Sequence, residues 1–319
     1  MRLIFVGTGD IGLPSLGWLL ASDHEVVAVV TQPDKPVGRH QEVQAPAVKR
    51  LALAAGIPVL QPVRIGAPEA VADMRMFCPE VLVVMAYGQI LPRSVLDLPT
   101  KACLNLHASI LPRHRGAAPI QAAIEAGDPV SGITVMYMAQ GLDTGDVLLS
   151  RQLRIRRRET GGTLHDRLAE LAPEALSEAL ALLNQGTAPR IPQNSAEATY
   201  AGKLSREDGF LAWDSPAGVD RRVRAMNPWP GAFTWLPTAA GPRKMKVFSV
   251  IRSRVPSGGL RGGTILRAEK RGILVAAGDR SVWLTEVQVE GKKRMRAAEF
   301  LRGTSVAVGA QLSGAERPG

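Results

Sequence analysis

Three side chains able to manage acyl transfer stand beside turn residues in the middle of this chain. Asn105 and His107 lie in Asn105-Leu106-His107-Ala108-Ser109-Ile110-Leu111-Pro112, and Asp143 lies in Gly141-Leu142-Asp143-Thr144-Gly145-Asp146. An amine attacking a carbonyl carbon passes through a tetrahedral oxyanion, to which an imidazolium and a side-chain amide can donate hydrogen bonds. A carboxylate beside the imidazole favours its protonated form, orients it, and can relay the proton leaving the amine. The same residue types also serve structure: a strand-end Asn and His satisfying turn backbone, and an Asp closing an Asx-turn before Gly145. The residues by themselves leave both readings open.

The elements around them point to a sheet. Apolar runs at Leu3–Val6, Glu25–Thr31, Val81–Met85, Ala102–His107 and Gly132–Met138 read as strands. Gly12–Leu20, Ala45–Ala55 and Ala118–Ala126 between them read as amphipathic helices. Strands alternating with helices predict βαβ units and a doubly wound, mostly parallel sheet, whose chemistry collects at the carboxyl ends of the strands. Asn105 and His107 are at such an end, two residues apart, so both side chains point to one face. Thr160–Asn184 reads as one long helix, and Gly186–Ser195, with its prolines, as a linker. Beyond residue 206 short strands at Ala232–Leu236, Lys246–Val250, Gly263–Ala268, Gly272–Ala276 and Ser281–Val289 predict a small, OB-like β-barrel.

Charge separates the two parts. Residues 1–205 hold 19 Lys and Arg against 19 Asp and Glu, whereas residues 206–319 hold 20 against 10 and carry the whole excess of +10. A basic second part favours a polyanionic partner such as nucleic acid, because phosphate neutralisation releases counterions. The clusters Arg154-Ile155-Arg156-Arg157-Arg158 and Lys292-Lys293-Arg294-Met295-Arg296 are candidate phosphate contacts, the second more so because it lies in the basic part. Apolar residues make up 45% of the chain, enough for a full core, and no uncharged apolar run reaches the roughly 18 residues of a membrane span. Cys78 and Cys103 match no metal spacing and read as buried thiols in a reducing cytosol.

Gly7-Thr8-Gly9-Asp10-Ile11-Gly12, after a strand and before a helix, has the wording of a dinucleotide fingerprint. The fingerprint also needs an acid at the end of the second strand, and here Asp34 comes late, behind Pro33. The glycines are better read as permitting a tight strand-to-helix turn, with an NAD-dependent oxidoreductase as a rival. His114 reads as a loop residue beside the site; His24, His40 and His165 read as surface positions. No histidine or cysteine pattern suggests a metal. Asn227-Pro228-Trp229-Pro230-Gly231 reads as a packed aromatic turn.

At these residues the chain resembles the folate-dependent formyltransferases, and in particular the methionyl-tRNA formyltransferases, along nearly its whole length. The resemblance is carried by Phe5-Val6-Gly7-Thr8, Gln32–Arg39, Ala86-Tyr87-Gly88-Gln89-Ile90-Leu91-Pro92, Asn105–Pro112, Arg115-Gly116-Ala117-Ala118-Pro119-Ile120-Gln121, Gly141–Asp146 and Asn227–Gly231. It implies a Rossmann-like catalytic domain at 1–189, a linker at 190–205 and a tRNA-binding OB-like domain at 206–319. It further implies a cytoplasmic, monomeric enzyme that uses no metal. That enzyme would move the formyl group of 10-formyltetrahydrofolate to the amine of methionyl initiator tRNA. Asn105, His107 and Asp143 inherit catalysis. Ser109, Ile110, Leu111 and Pro112 inherit folate contact, and Val84, Met85, Ala86 and Tyr87 a place along the pterin pocket. Arg39 matches a tRNA-contacting arginine, with Lys292, Lys293 and Arg294 on the basic domain. The chain departs from its relatives at Ile110, where leucine is usual, at His40-Gln41-Glu42, where lysines are frequent, and at Gly9-Asp10-Ile11-Gly12. The rival acceptors are small amines, an aminosugar nucleotide or a glycinamide ribonucleotide, which need no basic domain.

Overall fold

The computed structural model describes residues 1–37 and 41–312. These form two compact units that are not contiguous in the chain. The first comprises Met1–Pro119, Val130–Arg154 and His165–Ala201; the second comprises Ile120–Pro129, Ile155–Leu164 and the chain from Gly202 onward.

The first unit is built on a seven-stranded sheet. Its strands are β1 (Arg2–Gly7), β2 (Glu25–Val30), β3 (Val59–Leu60), β4 (Val81–Met85), β5 (Ala102–His107), β6 (Val130–Tyr137) and β7 (Val147–Arg154). They lie in the order β3-β2-β1-β4-β5-β6-β7. The first five pair in parallel, and β6 and β7 are added antiparallel. Leu3, Ile4, Phe5 and Val6 in β1 and Val81, Leu82 and Val83 in β4 are wholly buried. Consecutive burial of this kind requires both faces of the sheet to be covered, which is why these strands read as unbroken apolar runs. Strand order reverses between β1 and β4, so a crevice opens at their carboxyl ends, where ligands of open α/β sheets bind.

The helix Gly161–Gln185 runs on through an internal proline, Pro173. Leu168, Ala172, Ala175, Leu176, Ala179 and Leu180 form its buried stripe, so alanines share a face that the leucine spacing alone suggested. Several elements escaped the sequence reading, among them β3 (Val59–Leu60) and the three described next. Strand β7 lies at the sheet edge with an irregular burial pattern, and so gives little alternation to read. The helices Pro68–Met76 and Pro216–Ala225 are short. The second of these does carry a start signal: Pro216 follows Ser215, whose hydroxyl accepts from Gly218 N at 3.0 Å.

The second unit contains an antiparallel sheet in the order Phe233–Leu236, Arg243–Ser253, Arg280–Val289, Gly272–Ala277 and Ile265–Glu269. Met295–Arg296 pairs with Arg280–Val289. Every residue of Gly272–Ala277 is buried.

Two expectations are corrected. Cys103 is buried, but Cys78 is exposed, because it stands at φ 47° in the turn that ends the helix Pro68–Met76 rather than in a strand. Trp229 is 52% exposed, so the Asn227–Gly231 turn presents its indole to solvent instead of packing it. No helix among the described residues is long and apolar enough to cross a membrane.

Leu104 is fully buried near the centre of β5, immediately before Asn105. Leu104→Ala is expected to cost about 2–5 kcal/mol, read in denaturant as a lower midpoint for the first unit. A change below about 0.5 kcal/mol would contradict this packing.

Candidate active site

Parallel pairing puts Asn105 beside Val84 of β4, and antiparallel pairing puts it beside Met136 of β6. His107 lies opposite Thr134. Because they are two apart on β5, both side chains project to the same side. There they meet the carboxylate of Asp143, on the turn joining β6 to β7. Asn105 Nδ2 lies 3.4 Å from Asp143 Oδ1, and His107 Nδ1 lies 3.6 Å from Oδ2. A firm hydrogen bond reaches Oδ2 from Gly116 N, at 2.8 Å. The side chains of His107 and Asp143 retain only 6% and 12% of their accessible surface, so their polar atoms are largely screened from bulk water.

The other ring nitrogen fixes the histidine tautomer. Nε2 of His107 lies 2.9 Å from the His114 carbonyl oxygen, which can only accept, so Nε2 carries a proton. Nδ1, at 3.6 Å from Asp143, is too distant for an ordinary hydrogen bond and stays available to a substrate atom. His114, expected to be a loop residue beside the site, is buried and acts here through its backbone.

The turn that carries Asp143 is tightly specified. Asp143 has φ 51°, a left-handed conformation that Asp tolerates better than most residues. A Cβ at Gly145 would overlap the Tyr137 carbonyl, so only glycine lets the turn close there. Non-glycine residues at positive φ are Gln41, Cys78, Ala86, His114 and Asp143 among the described residues, and the last three border this site. Strained backbone gathering at one place is a mark of function.

Ser109–Pro112 continues directly from β5. Ser109 Oγ donates to Arg113 O at 2.7 Å, and Ser109 O accepts from Thr134 Oγ1 at 2.7 Å. That same hydroxyl oxygen accepts from Leu111 N at 3.2 Å. Ser109 and Leu111 are buried, while Ile110 and Pro112 are half-buried. Val84, Met85 and Tyr87 are buried and Ala86 is exposed. Val84 and Tyr87 pack with Ile65, Met74 and Leu91, and burial pushes the Tyr87 hydroxyl up to about 12, so it stays protonated. Arg39 lies outside the described residues. Lys292 and Lys293 are exposed, but Arg294 is committed: its guanidinium grips Glu286 at 2.8 and 2.7 Å and lies over the Phe248 ring.

Several residues at the site went unread in the sequence. Thr134 pins the Ser109–Leu111 turn, and its only signal was its place on a strand next to β5. Arg115, noted only as part of a longer motif, is 2% exposed and holds Gln193. Gln193 and Thr199 sit in the stretch read as a linker, whose Gly, Pro and polar composition hides their contacts.

The turn Gly7–Gly12 has a structural use. Thr8 N and Gly9 N both donate to Ala86 O, at 3.2 and 3.1 Å, and a Cβ at Gly7 would come within 2.7 Å of the Phe5 ring and 2.8 Å of Met85 O. Two amides of the turn are thus spent on the chain itself, and the glycines serve close packing.

The Formyl transferase family model matches residues 1–180, and the model for the Formyl transferase C-terminal domain matches residues 203–305. The chain is 45% identical to the methionyl-tRNA formyltransferase of Akkermansia muciniphila over 305 residues, covering 95% of this chain and 96% of that one. To the methionyl-tRNA formyltransferase of Geotalea daltonii it is 46% identical over 313 residues, 98% of each chain. The chain belongs to the methionyl-tRNA formyltransferase family. Its fold is also that of WlaRD, a sugar 3N-formyl transferase solved in the presence of dTDP and 5-N-formyl-THF. The TM-score is 0.65 at 14% identity, over 92% of this chain and 99% of that one. Identity that low speaks for the fold alone, so the acceptor must be argued from other features.

Because the Thr8 and Gly9 amides are occupied, millimolar NAD is expected to leave the thermal unfolding midpoint of this family member within about 1 °C. A ligand present at 100 times its Kd would add about 2.7 kcal/mol. A clear NAD-dependent rise in a melting assay would overturn this reading of the glycine turn.

Proposed function

We propose that this protein transfers the formyl group of 10-formyltetrahydrofolate to the α-amino group of methionine carried by initiator tRNA. The observation that carries the proposal is the convergence of Asn105, His107 and Asp143 at the carboxyl end of β5, in a chain about 45% identical to methionyl-tRNA formyltransferases over nearly its whole length.

In this reading the amine attacks the formyl carbon, and the Asn105 amide and His107, as an imidazolium that carries a second proton on Nδ1 besides the one Nε2 gives to His114 O, donate to the oxygen as it gains charge. These donors are already in place before reaction, which is where electrostatic catalysis draws its strength. Asp143 receives the proton that the attacking nitrogen must lose, and N10 of the folate takes up a proton as the carbon–nitrogen bond breaks. Gly116 N–H holds the carboxylate in position while its second oxygen faces Asn105. The folate lies along Ser109–Pro112 and the end of β4, where Ala86 is the exposed member. We further propose that the enzyme acts as a monomer, in the cytoplasm where aminoacylated tRNA is made.

The tRNA acceptor is supported by charge. The +10 excess of residues 206–319 suits an acceptor arm and is superfluous for an aminosugar nucleotide. Lys292 and Lys293 are its exposed phosphate contacts, and Arg39, outside the described residues, is a further candidate tRNA contact by the resemblance alone. Arg294 shapes this surface while bound to Glu286.

The deciding assay follows labelled methionyl initiator tRNA and methionyl elongator tRNA with 10-formyltetrahydrofolate. Formylation of the initiator alone is expected; formylation of neither, by folded and folate-binding protein, would favour a small amine acceptor. Asn105→Ala, His107→Ala and Asp143→Ala are each expected to lower kcat by about 10²–10³-fold or more with the fold intact by circular dichroism. Near-normal turnover in any of them would remove that residue from its role. Lys292→Ala with Lys293→Ala should weaken tRNA binding and reduce the slope of log K against log salt by about 2. An unchanged slope would place the tRNA elsewhere.

A further inference from the structure

Between the helix Gly161–Gln185 and the second unit, the segment 190–201 is a strap across the catalytic loops. Arg190 lies over the Tyr137 ring at 3.7 Å, and Ile191 pairs with Val147 through backbone hydrogen bonds of 2.8 and 3.0 Å. Thr199 Oγ1 accepts from His114 N and Thr199 O from Arg115 N, both at 2.8 Å. Ala201 O accepts from Ala117 N at 2.8 Å, and Tyr200–Ala201 pairs in parallel with Arg115–Gly116.

Gln193 is the member of the strap that reaches the reacting groups' support. Arg115 Nε and Nη2 donate to Gln193 Oε1 at 3.0 and 2.8 Å. A guanidinium only donates, so it dictates which end of the amide is oxygen. Nε2 is thereby turned to the catalytic turn, where it donates to Asp143 O at 2.9 Å and Gly145 O at 2.7 Å. Both amide hydrogens are used, one at each end of Asp143-Thr144-Gly145. The anchor of this device, Arg115, is 2% exposed, so the amide hangs from a group that cannot move without opening the core.

We propose that Gln193 is a positioning residue: it holds Asp143 in its left-handed conformation and so aims the carboxylate at Asn105 and His107. The inference rests on the catalytic reading of Asp143 given above. Gln193 touches no reacting atom, and its effect passes through the Asp143 backbone. A carboxylate released from this clamp would shift by about an ångström, enough to cost about 10²-fold in rate.

Gln193→Glu separates the anchor from the clamp. It keeps an oxygen against Arg115, which preserves the strap, but replaces both N–H donors with an acceptor facing two carbonyls. In the full-length enzyme, Gln193→Glu and Gln193→Ala are each expected to lower kcat about 10²-fold, with KM for folate and tRNA within about threefold. The melting midpoint of Gln193→Glu should fall by no more than a few degrees, since the charged link to Arg115 offsets part of the two lost hydrogen bonds. In single turnovers on an Asp143→Asn background, adding Gln193→Ala should change the rate less than twofold, since the device has nothing left to aim. Wild-type kcat in Gln193→Glu would overturn the proposal, as would losses that multiply in the double variant. If Asp143→Asn alone keeps full activity, the catalytic reading itself fails and the positioning role with it. An inactive Asp143→Asn beside a fully active Gln193→Glu removes only the positioning role.

Discussion

The hydrogen bond from Gly116 N to Asp143 Oδ2, at 2.8 Å, is the contact on which the arrangement of the site turns. Asp143 arrives from a turn after β6, whereas Asn105 and His107 arrive from β5, and nothing in local sequence obliges them to meet. Gly116 comes from a third segment and itself adopts φ 113°, with the Ala201 carbonyl filling the space where a side chain would begin. The carboxylate is therefore placed by a glycine amide, and that glycine is placed by the strap at Ala201. Rigidity is passed inward from the parallel sheet through backbone groups, which change little when a side chain is replaced.

Legibility in the sequence followed how each contact is made. Asn105 and His107 were readable because period-two geometry forces two strand residues onto one face, and because an apolar run ending in polar residues marks the carboxyl end of a strand. Strands β1, β2, β4, β5 and β6 were readable because buried strands leave continuous apolar runs, whereas the two-residue β3, the edge strand β7 and the helix Pro68–Met76 leave none. Asp143 was nominated by residue type and turn context, and its meeting with His107 required the fold. Thr134, Arg115, Gln193 and Thr199 were not readable. Each acts through a backbone partner or across many residues, as in the separations of 78 between Arg115 and Gln193 and 85 between His114 and Thr199. Composition misled where it was most suggestive: Gly186–Ser195 looks like a flexible linker, yet its end is hydrogen-bonded to the catalytic turn.

The glycine-rich start of the chain shows the same distinction between wording and use. A strand-to-helix turn at a topological switch point needs glycines for close approach whether or not phosphates bind there. What separates the two uses is where the amides point. Here Thr8 N and Gly9 N point at Ala86 O, on the neighbouring strand end, and this contact ties β1 to β4 beside the crevice. Gln32 N and Thr31 Oγ1 both meet Thr8 Oγ1, at 3.1 and 3.3 Å, so the end of β2 joins the same network. The motif belongs to the floor of the site and not to its ligand.

Within one fold, then, chemistry and acceptor are specified by different physics. The proposed formyl-transferring set is short-range, formed by three side chains meeting within 3.6 Å. Such a set could serve any amine brought to it. Acceptor choice cannot come from that set, because an α-amine on an ester and an amine on a sugar offer it nearly the same atom. It must come from a field and surface that a macromolecule feels at longer range, and the sequence puts all its excess positive charge beyond residue 205. Residues 1–205 are neutral overall, so under the proposed function the long-range attraction for a polyanion comes from the rest of the sequence. On that proposal affinity and reaction rest on separate groups, so charge substitutions beyond residue 205 weaken binding without touching Asn105, His107 or Asp143.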